Sequence, residues 1–317
     1  MAAGLGTRLQ PYTQFLPKPL LPLMGVPMIQ FALDQVAEAG VKEVVINFHY
    51  LPEVAKKSLL ALDHHQMKVH LSDEASLLLG SAGGIRKALT HFKNEPFFLI
   101  NADTLSACDL RSLANHYAML PKETWFDLVL VNPKNRLEEY TEIIIDEKTS
   151  RIQKIGSKQS NRPYYSGVAI YHPRAFDSLL EGETSDFFKD VFPKALEKNK
   201  AYGLITEEPW MDLGSPFLWW RAHREWIQLL ENKKLPTLWE KRVKEENKKI
   251  GNLAWIHESK DKSPWKTTMG KECYWASVAR PPSELRLVSK AIVYGQVAGM
   301  LTYQDGIAFG GIWTEFS

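Results

Sequence analysis

Residues 1–24 read MAAGLGTRLQPYTQFLPKPLLPLM, and the reading of this stretch decides the fold. Two small alanines lead into Gly4-Leu5-Gly6-Thr7-Arg8, and Lys18 follows between Pro17 and Pro19. Glycines lacking a Cβ let backbone N–H groups converge on an anion, through conformations that cost other residues more. Arg8 and Lys18 add two cations, and the prolines hold the second one's loop extended. Such a loop grips polyphosphate, and loops of this kind lie at the carboxyl end of a buried strand. The strand is not visible here, because the chain given opens directly at the loop. The central strand of a parallel sheet is buried on both faces, so its absence would remove the loop's anchor. A natural start upstream of Met1 is the expectation, with another segment filling the position as the alternative.

Moving outward, the chain alternates. Apolar residues at 28, 29, 32, 33 and 36 have helical spacing over Met28–Ala39, with Gln30, Asp34, Gln35 and Glu38 between them. Gly40 ends that helix, and Glu43–Phe48 reads as a buried strand. A helix over Pro52–Leu62, a strand near Met67–Leu71, a helix over Ala82–Phe92 and a strand at Pro96–Ile100 continue the pattern. Alternation at this interval predicts βαβ units around a Rossmann-like parallel or mixed sheet. Strand-like runs at Trp125–Asn132, Tyr140–Asp146, Arg151–Ile155 and Tyr164–Tyr171 suggest added strands forming a lid or acceptor pocket. Helices are expected over Thr184–Lys198 and Ser215–Asn232. The charge-dense stretch 233–249 reads as a solvated linker or exposed helix. Residues 250–317 carry short β-branched runs and recurrent glycines, consistent either with a short left-handed β-helix or with a small β unit of another kind. The expected domains are therefore 1–232, a linker 233–249, and 250–317.

Bulk properties narrow the function. With 317 residues there is room for one large α/β domain and a smaller unit. A net charge of +2 argues against a dedicated nucleic-acid surface, so any anion site is local. The two cysteines, Cys108 and Cys273, stand far apart, which argues against a disulfide framework and for a reducing, cytoplasmic setting. No apolar run reaches the roughly 18 residues of a membrane span. The pair His64-His65 has no partner cluster and reads as surface. The ten tryptophans read as packing residues. Neither a monomer nor a homo-oligomer is favoured by composition.

The opening string AAGLGTRLxPxTxxxPKPLLPL resembles the signature of the sugar-1-phosphate nucleotidyltransferases, or NDP-sugar pyrophosphorylases. Further segments agree in order: Leu79-Gly80-Ser81-Ala82-Gly83-Gly84, Ile100-Asn101-Ala102-Asp103, Ser166–Tyr171 and Trp210-Met211-Asp212-Leu213-Gly214. The resemblance covers about residues 1–225. It implies an enzyme of nucleotide-sugar biosynthesis joining a nucleoside triphosphate to a sugar 1-phosphate with release of pyrophosphate. It implies that Ala3, Gly4, Gly6, Thr7, Arg8, Lys18, Gly80 and Ser81 hold the nucleotide, with Gly80 against the base. Arg8, Lys18 and Asp103 would act in catalysis, and Asp103 and Asp212 would carry Mg²⁺. Ser166 and Gly167 would leave room for the sugar, with Glu142 and Lys158 offered to its hydroxyls and phosphate. Taken alone, Asp103 reads equally as a turn or cap residue, and Asp212 as an N-terminal cap. Leu-Gly-Ser-Ala-Gly is similar to the Leu-Gly-Thr-Ala-Gly of mannose-1-phosphate guanylyltransferases, which favours GTP and a mannose or heptose phosphate. Uridylyl transfer to N-acetylmuramate 1-phosphate or another hexose phosphate stays open. So does a catalytically silent nucleotide-sugar-binding subunit.

Overall fold

The computed structural model describes residues 1–132, 140–156 and 162–251, then 254–257, 268–269, 273–276, 286–294, 302–309 and 312–315, with backbone alone from 246 onward. In chain order the strands begin with β1 (Pro22–Leu23) and β2 (Val26–Pro27), followed by helix α1 (Met28–Glu38). Then come β3 (Glu43–Phe48), α2 (Pro52–Leu60), β4 (Lys68–Asp73), α3 (Gly80–Ala88), β5 (Phe97–Ile100), β6 (Thr104–Ser106) and α4 (Leu110–Met119). The middle supplies β7 (Phe126–Val131), β8 (Ile143–Asp146), β9 (Arg151–Ile155), β10 (Tyr164–Tyr171), α5 (Phe192–Glu197), β11 (Ala201–Thr206) and β12 (Trp210–Asp212). Helices α6 (Pro216–Glu231) and α7 (Thr237–Glu246) lead to β13 (Asn247–Gly251), β14 (Ala254–His257), β15 (Thr268–Met269), β16 (Cys273–Ala276), β17 (Arg286–Tyr294), β18 (Thr302–Phe309) and β19 (Ile312–Glu315).

These elements cluster into two compact units, one of Met1–Leu5 with Gln35–Trp210, the other of Gly6–Asp34 with Met211–Ser317. The cut therefore falls inside the opening loop and differs from the division at 232 expected from sequence. In the first unit six strands form a mixed sheet in the order β5-β10-β7-β11-β9-β8. Strand β10 runs antiparallel to both β5 and β7, and β11 runs parallel to β7. Of the lid or acceptor pocket expected from these runs, Tyr164–Tyr171 does not form a lid: it lies between β5 and β7 inside the sheet, with seven of its eight residues buried, Ser166 and Gly167 included. Strands β3 and β4 pair in parallel as a separate ribbon. Among the described residues no strand is hydrogen-bonded between β3 and β5. The chain start reaches both: the Met1 amino group donates to the Ile100 carbonyl at 2.6 Å, and the Ala2 N–H donates to Asn47 Oδ1 at 2.7 Å.

The core of this unit is aromatic. Phe126 packs on Phe187 and Phe192 at centroid distances of 5.2 and 5.5 Å, with Tyr171 and Phe176 beside them. The helix expected over Thr184–Lys198 is shorter and irregular: a π-helical turn at Phe187–Val191, capped by Asp186, feeds α5. That irregular turn sends Phe187, Val191 and Phe192 all into the core.

In the second unit, Met24 and Gly25 both have positive φ, at 50° and 79°, which makes the β1–β2 connection a tight type I′ turn. Helix α1 buries Gln30, Asp34 and Gln35, three of the four polar residues between its apolar positions, and exposes only Glu38 of that set. Asp34 is fully buried and takes a bidentate pair from Arg242 of α7, at 2.5 and 2.7 Å. Trp239 and Trp226 stack at 5.5 Å, and Trp239 Nε1 donates to the Phe31 carbonyl. The 233–249 stretch therefore holds a packed helix rather than a solvated linker, because Trp239 and Val243 recur on one face of an otherwise charged segment. Beyond it, β14, β16, β17 and β18 pair in parallel in chain order, while β13 and β19 join antiparallel at the two ends. No described helix is long and apolar enough to cross a membrane.

Candidate active site

In the second unit the glycine loop turns at Gly6, whose backbone is left-handed at φ 65°. A Cβ there would lie 3.1 Å from both the Lys18 Cβ and the Thr13 Cγ2. The Thr13 hydroxyl and the Leu9 N–H both donate to the Gly6 carbonyl. Glycine is required because the loop presses on the stem of Lys18, and that pressing fixes where the lysine stands. Lys18 itself is only 6% exposed and starts a 3-10 turn, its carbonyl accepting from the Leu21 N–H. A buried ammonium on a pinned stem is a preset cation for an anion of low mobility.

Arg8 and Asp212 come together at Gly214. A Cβ on Gly214 would lie 2.7 Å from Arg8 Nη2 and 2.8 Å from Asp212 Oδ1. The Gly214 N–H donates to that same Asp212 oxygen at 2.7 Å. The carboxylate is thus oriented by the turn that starts α6, while Ser215, not Asp212, caps the helix by accepting from the Leu218 N–H. The cap reading of Asp212 is thereby set aside by the geometry, and Gly214 is the residue that lets cation and carboxylate stand side by side.

In the first unit, Asp103 follows β5 in a turn and is half-buried. Its charge bears on the Met1 amino group, whose pKa is pulled down to about 6 by burial while Asp103 opposes that shift. Ser166 and Gly167 lie beside the same turn, in a bulge of β10 between Tyr165 and Ala169. Gly167 has φ 89°, and a Cβ would come within 2.6 Å of the Thr104 hydroxyl. The Ser166 carbonyl accepts from Thr104 Oγ1 and from Trp210 Nε1, at 3.1 and 2.7 Å. Bulges re-aim a strand next to a site, and this one is held by residues from two other segments. Glu142 is buried against Gly156, a Cβ of which would meet its Oε2 at 2.9 Å. Glu142 bridges Tyr164, which forms an aromatic group with Tyr140 and Trp210 at centroid distances of 4.5 and 5.1 Å. Lys158 lies outside the described residues.

The glycine-rich segment Gly80–Gly84 has a packing cause of its own. Gly80 sits at φ 76°, and a Cβ would clash with the Ser185 carbonyl at 2.6 Å. That carbonyl accepts from the Ala82 and Gly83 N–H groups, and the Ser185 N–H donates to the Leu79 carbonyl. The Ser81 hydroxyl donates to Asp186 Oδ2 and accepts from the Phe187 N–H. The Ser81 hydroxyl, read as a nucleotide contact, is therefore engaged with residues 186 and 187, while the Ala82 and Gly83 amides hold Ser185. Gly4, by contrast, has nothing within 4 Å of its Cβ position, so the first glycine faces open space.

Sequence reading missed the pair Asn47 and Glu74. Asn47 Nδ2 donates to the buried Glu74 Oε1 at 2.7 Å, and Glu74 Oε2 accepts from the Leu79 N–H. This network ties the opening residues, β3, β4 and α3 at one end of the ribbon. Isolated Asn and Glu residues at strand ends carry no motif, so only the register of β3 on β4 reveals them.

The mixed α/β fold and its phosphate-type loop define a nucleotide-handling α/β protein. A family model described as nucleotidyl transferase matches residues 1–228, and the chain belongs to that family. It is 29% identical over 223 residues to mannose-1-phosphate guanylyltransferase 1 of Arabidopsis thaliana, covering 68% of this chain and 60% of that protein. It is 30% identical over 217 residues to the N-acetylmuramate alpha-1-phosphate uridylyltransferase of Neisseria meningitidis serogroup B, covering 68% of this chain and 91% of that protein. The chain thus spans about 60% of the length of the plant guanylyltransferases it matches. Among solved structures, HddC from Yersinia pseudotuberculosis shares the fold, with a TM-score of 0.61 at 22% identity over 71% of this chain and 96% of that one.

Proposed function

We propose that the chain is a sugar-1-phosphate nucleotidyltransferase that moves a guanylyl group from GTP to a mannose or heptose 1-phosphate. The observation that carries this reading is the pairing of a pinned, buried Lys18 with an Arg8–Asp212 juxtaposition built on Gly214. Cations and an oriented carboxylate suit a metal-bound polyphosphate, and membership of the family supplies the reaction class. In the proposed reaction an oxygen of the sugar phosphate attacks the α-phosphorus in line. The bond to the β-phosphate oxygen breaks, and pyrophosphate leaves. Arg8 and Lys18 hold the phosphates against their mutual repulsion, and the open face at Gly4 admits them. Ser166 and Gly167, beside Glu142 and the aromatic group, form the acceptor side.

Among the described residues no cluster of three or more His, Cys, Asp and Glu has the arrangement of a metal cage. The carboxylates assigned to Mg²⁺ are Asp103 and Asp212, and the ion would take one or two protein carboxylates with phosphate oxygens and water for the rest of its shell. When bound, the ion supplies charge neutralisation on the phosphates.

Uridylyl transfer is the second reading, favoured by the Neisseria relative, most of whose length this chain covers. Pyrophosphate release measured with ATP, CTP, GTP and UTP against a panel of sugar 1-phosphates tests both. Release with GTP and mannose or heptose 1-phosphate is expected; release confined to UTP transfers the assignment. Silence with every pair, together with measurable nucleotide-sugar binding, makes the chain a binding subunit instead.

A further inference from the structure

Three polar side chains in the first unit form an arrangement that nucleotidyl transfer does not use. His116, on α4, places Nδ1 2.6 Å from Asp127 Oδ2 and Nε2 3.2 Å from Ser150 Oγ. Asp127 is fully buried in β7, an otherwise apolar strand, and its second oxygen has no hydrogen-bond partner. Burial pushes the Asp127 carboxyl up, and the His116 hydrogen bond opposes that shift. The ionised carboxylate accepts only, which assigns the imidazole proton to Nδ1 and leaves the Nε2 lone pair facing the serine hydroxyl. Asp127 also holds the His116 pKa above its ordinary value. The order is nucleophile, base and orienting acid, each within hydrogen-bond reach of the next.

Ser150 has a left-handed backbone, at φ 57°, in the turn joining β8 to β9. Glycine or asparagine fills such a position at less cost, so the turn alone gives no reason for a serine. The turn is rigid: Asp146 Oδ1 accepts from the Lys148 and Thr149 N–H groups, and the Ser150 carbonyl accepts from the Gly203 N–H at 2.9 Å. The hydroxyl is therefore held against His116 by backbone that has little freedom to move. The His116 side chain is 17% exposed and Ser150 is half-buried, so a small reagent can reach the oxygen.

We propose that Ser150, His116 and Asp127 form a nucleophilic serine site that accepts an acyl or phosphonyl group from a small activated donor. With a carboxylic ester, Ser150 Oγ bonds to the carbonyl carbon while its proton passes to His116 Nε2. The ester C–O bond then breaks, and the alcohol leaves with that proton. With a fluorophosphonate, the O–P bond forms as the P–F bond breaks; fluoride leaves and the hydroxyl proton passes to His116 Nε2. The product is an acyl-serine or phosphonyl-serine, one per chain, and the phosphonyl-serine is the species that accumulates.

The test is incubation of the native full chain with an alkyl fluorophosphonate, with the modified residue located by peptide mass spectrometry. One adduct on Ser150 is expected, absent after heat denaturation and absent in Ser150→Ala. Loss of the base in His116→Gln should slow labelling by about 100-fold, the scale of general-base assistance. Pyrophosphate release by Ser150→Ala should match the parent chain, which separates this site from the nucleotidyl reaction. Absence of an adduct on Ser150 in the native protein overturns the proposal, as does labelling of His116→Gln at the parent rate. Either result would leave the three groups as a tie between α4 and the hairpin.

Discussion

Asp103 illustrates what one residue carries. It stands at the carboxyl end of β5, where open α/β sheets present ligand groups. Asp103→Asn keeps size and hydrogen-bonding capacity but removes the charge. Its pyrophosphate release should fall by about 100-fold or more, the scale on which preorganised charge acts, with an unchanged circular dichroism spectrum. Parent-like turnover would remove the metal assignment. Arg8, Lys18, Asp103 and Asp212 are proposed for the site because each stands in a string that resembles the family's motifs. Gly80 was legible as a residue but not as a cause: its glycine is demanded by the Ser185 carbonyl, a neighbour 105 positions away. No local pattern announces such a neighbour. Thr104 and Trp210, which hold the Ser166 carbonyl, were hidden for the same reason.

At the scale of elements, strands β3, β9 and β10 were read to the residue, since β3 and β10 are rich in β-branched or aromatic residues and β9 follows a turn-rich gap. Strand β11 was not. It contains Gly203, which reads as a break, yet a Cβ there would lie 2.8 Å from Leu130 Cδ1, so the glycine lets β11 lie close under β7's side chains. Helix α4 was also missed; it is short, with only Leu110 and Leu113 buried, and its clearest mark is the Asp109 cap on the Arg111 N–H. The tie between α7 and α1 allows a test. Arg242→Met would leave the buried Asp34 carboxylate without its bidentate partner, and should cost about 3–5 kcal/mol in urea unfolding. Adding Asp34→Leu should restore most of that loss, because an apolar pair needs no charge partner. A single variant as stable as the parent would show that the ion pair is replaceable by water.

For the molecule as a whole, loss of stability in acid has an identifiable source. His223, fully buried in α6 with Nδ1 at 2.9 Å from the Trp219 carbonyl, has its pKa pushed down to about 3 by burial. An unfolded chain takes up the proton near pH 6.5, while the folded chain refuses it until about pH 3. The stability this histidine leaves intact above pH 6.5 is therefore lost as the pH falls towards 3, at about 1.4 kcal/mol per pH unit. Between pH 6.5 and 4 the parent should lose about 3 kcal/mol more than His223→Gln, measured by urea titration at each pH. Equal slopes would mean that His223 is protonated in the folded state.

Helix α3 imposes an order of events on this chain. Three of its nine residues are glycines, Gly80, Gly83 and Gly84, so its intrinsic tendency to coil is poor. What closes its first turn is the Ser185 carbonyl, with Ser81 bonded to Asp186 across 105 positions of sequence. On a ribosome adding about 5–20 residues per second, α3 emerges roughly 5–20 s before the segment that caps it. Through that interval the 80s segment has no stable helical form, and contacts that depend on α3 must wait for it. Helix α3 is then completed together with the 185–187 segment that caps it, not ahead of it.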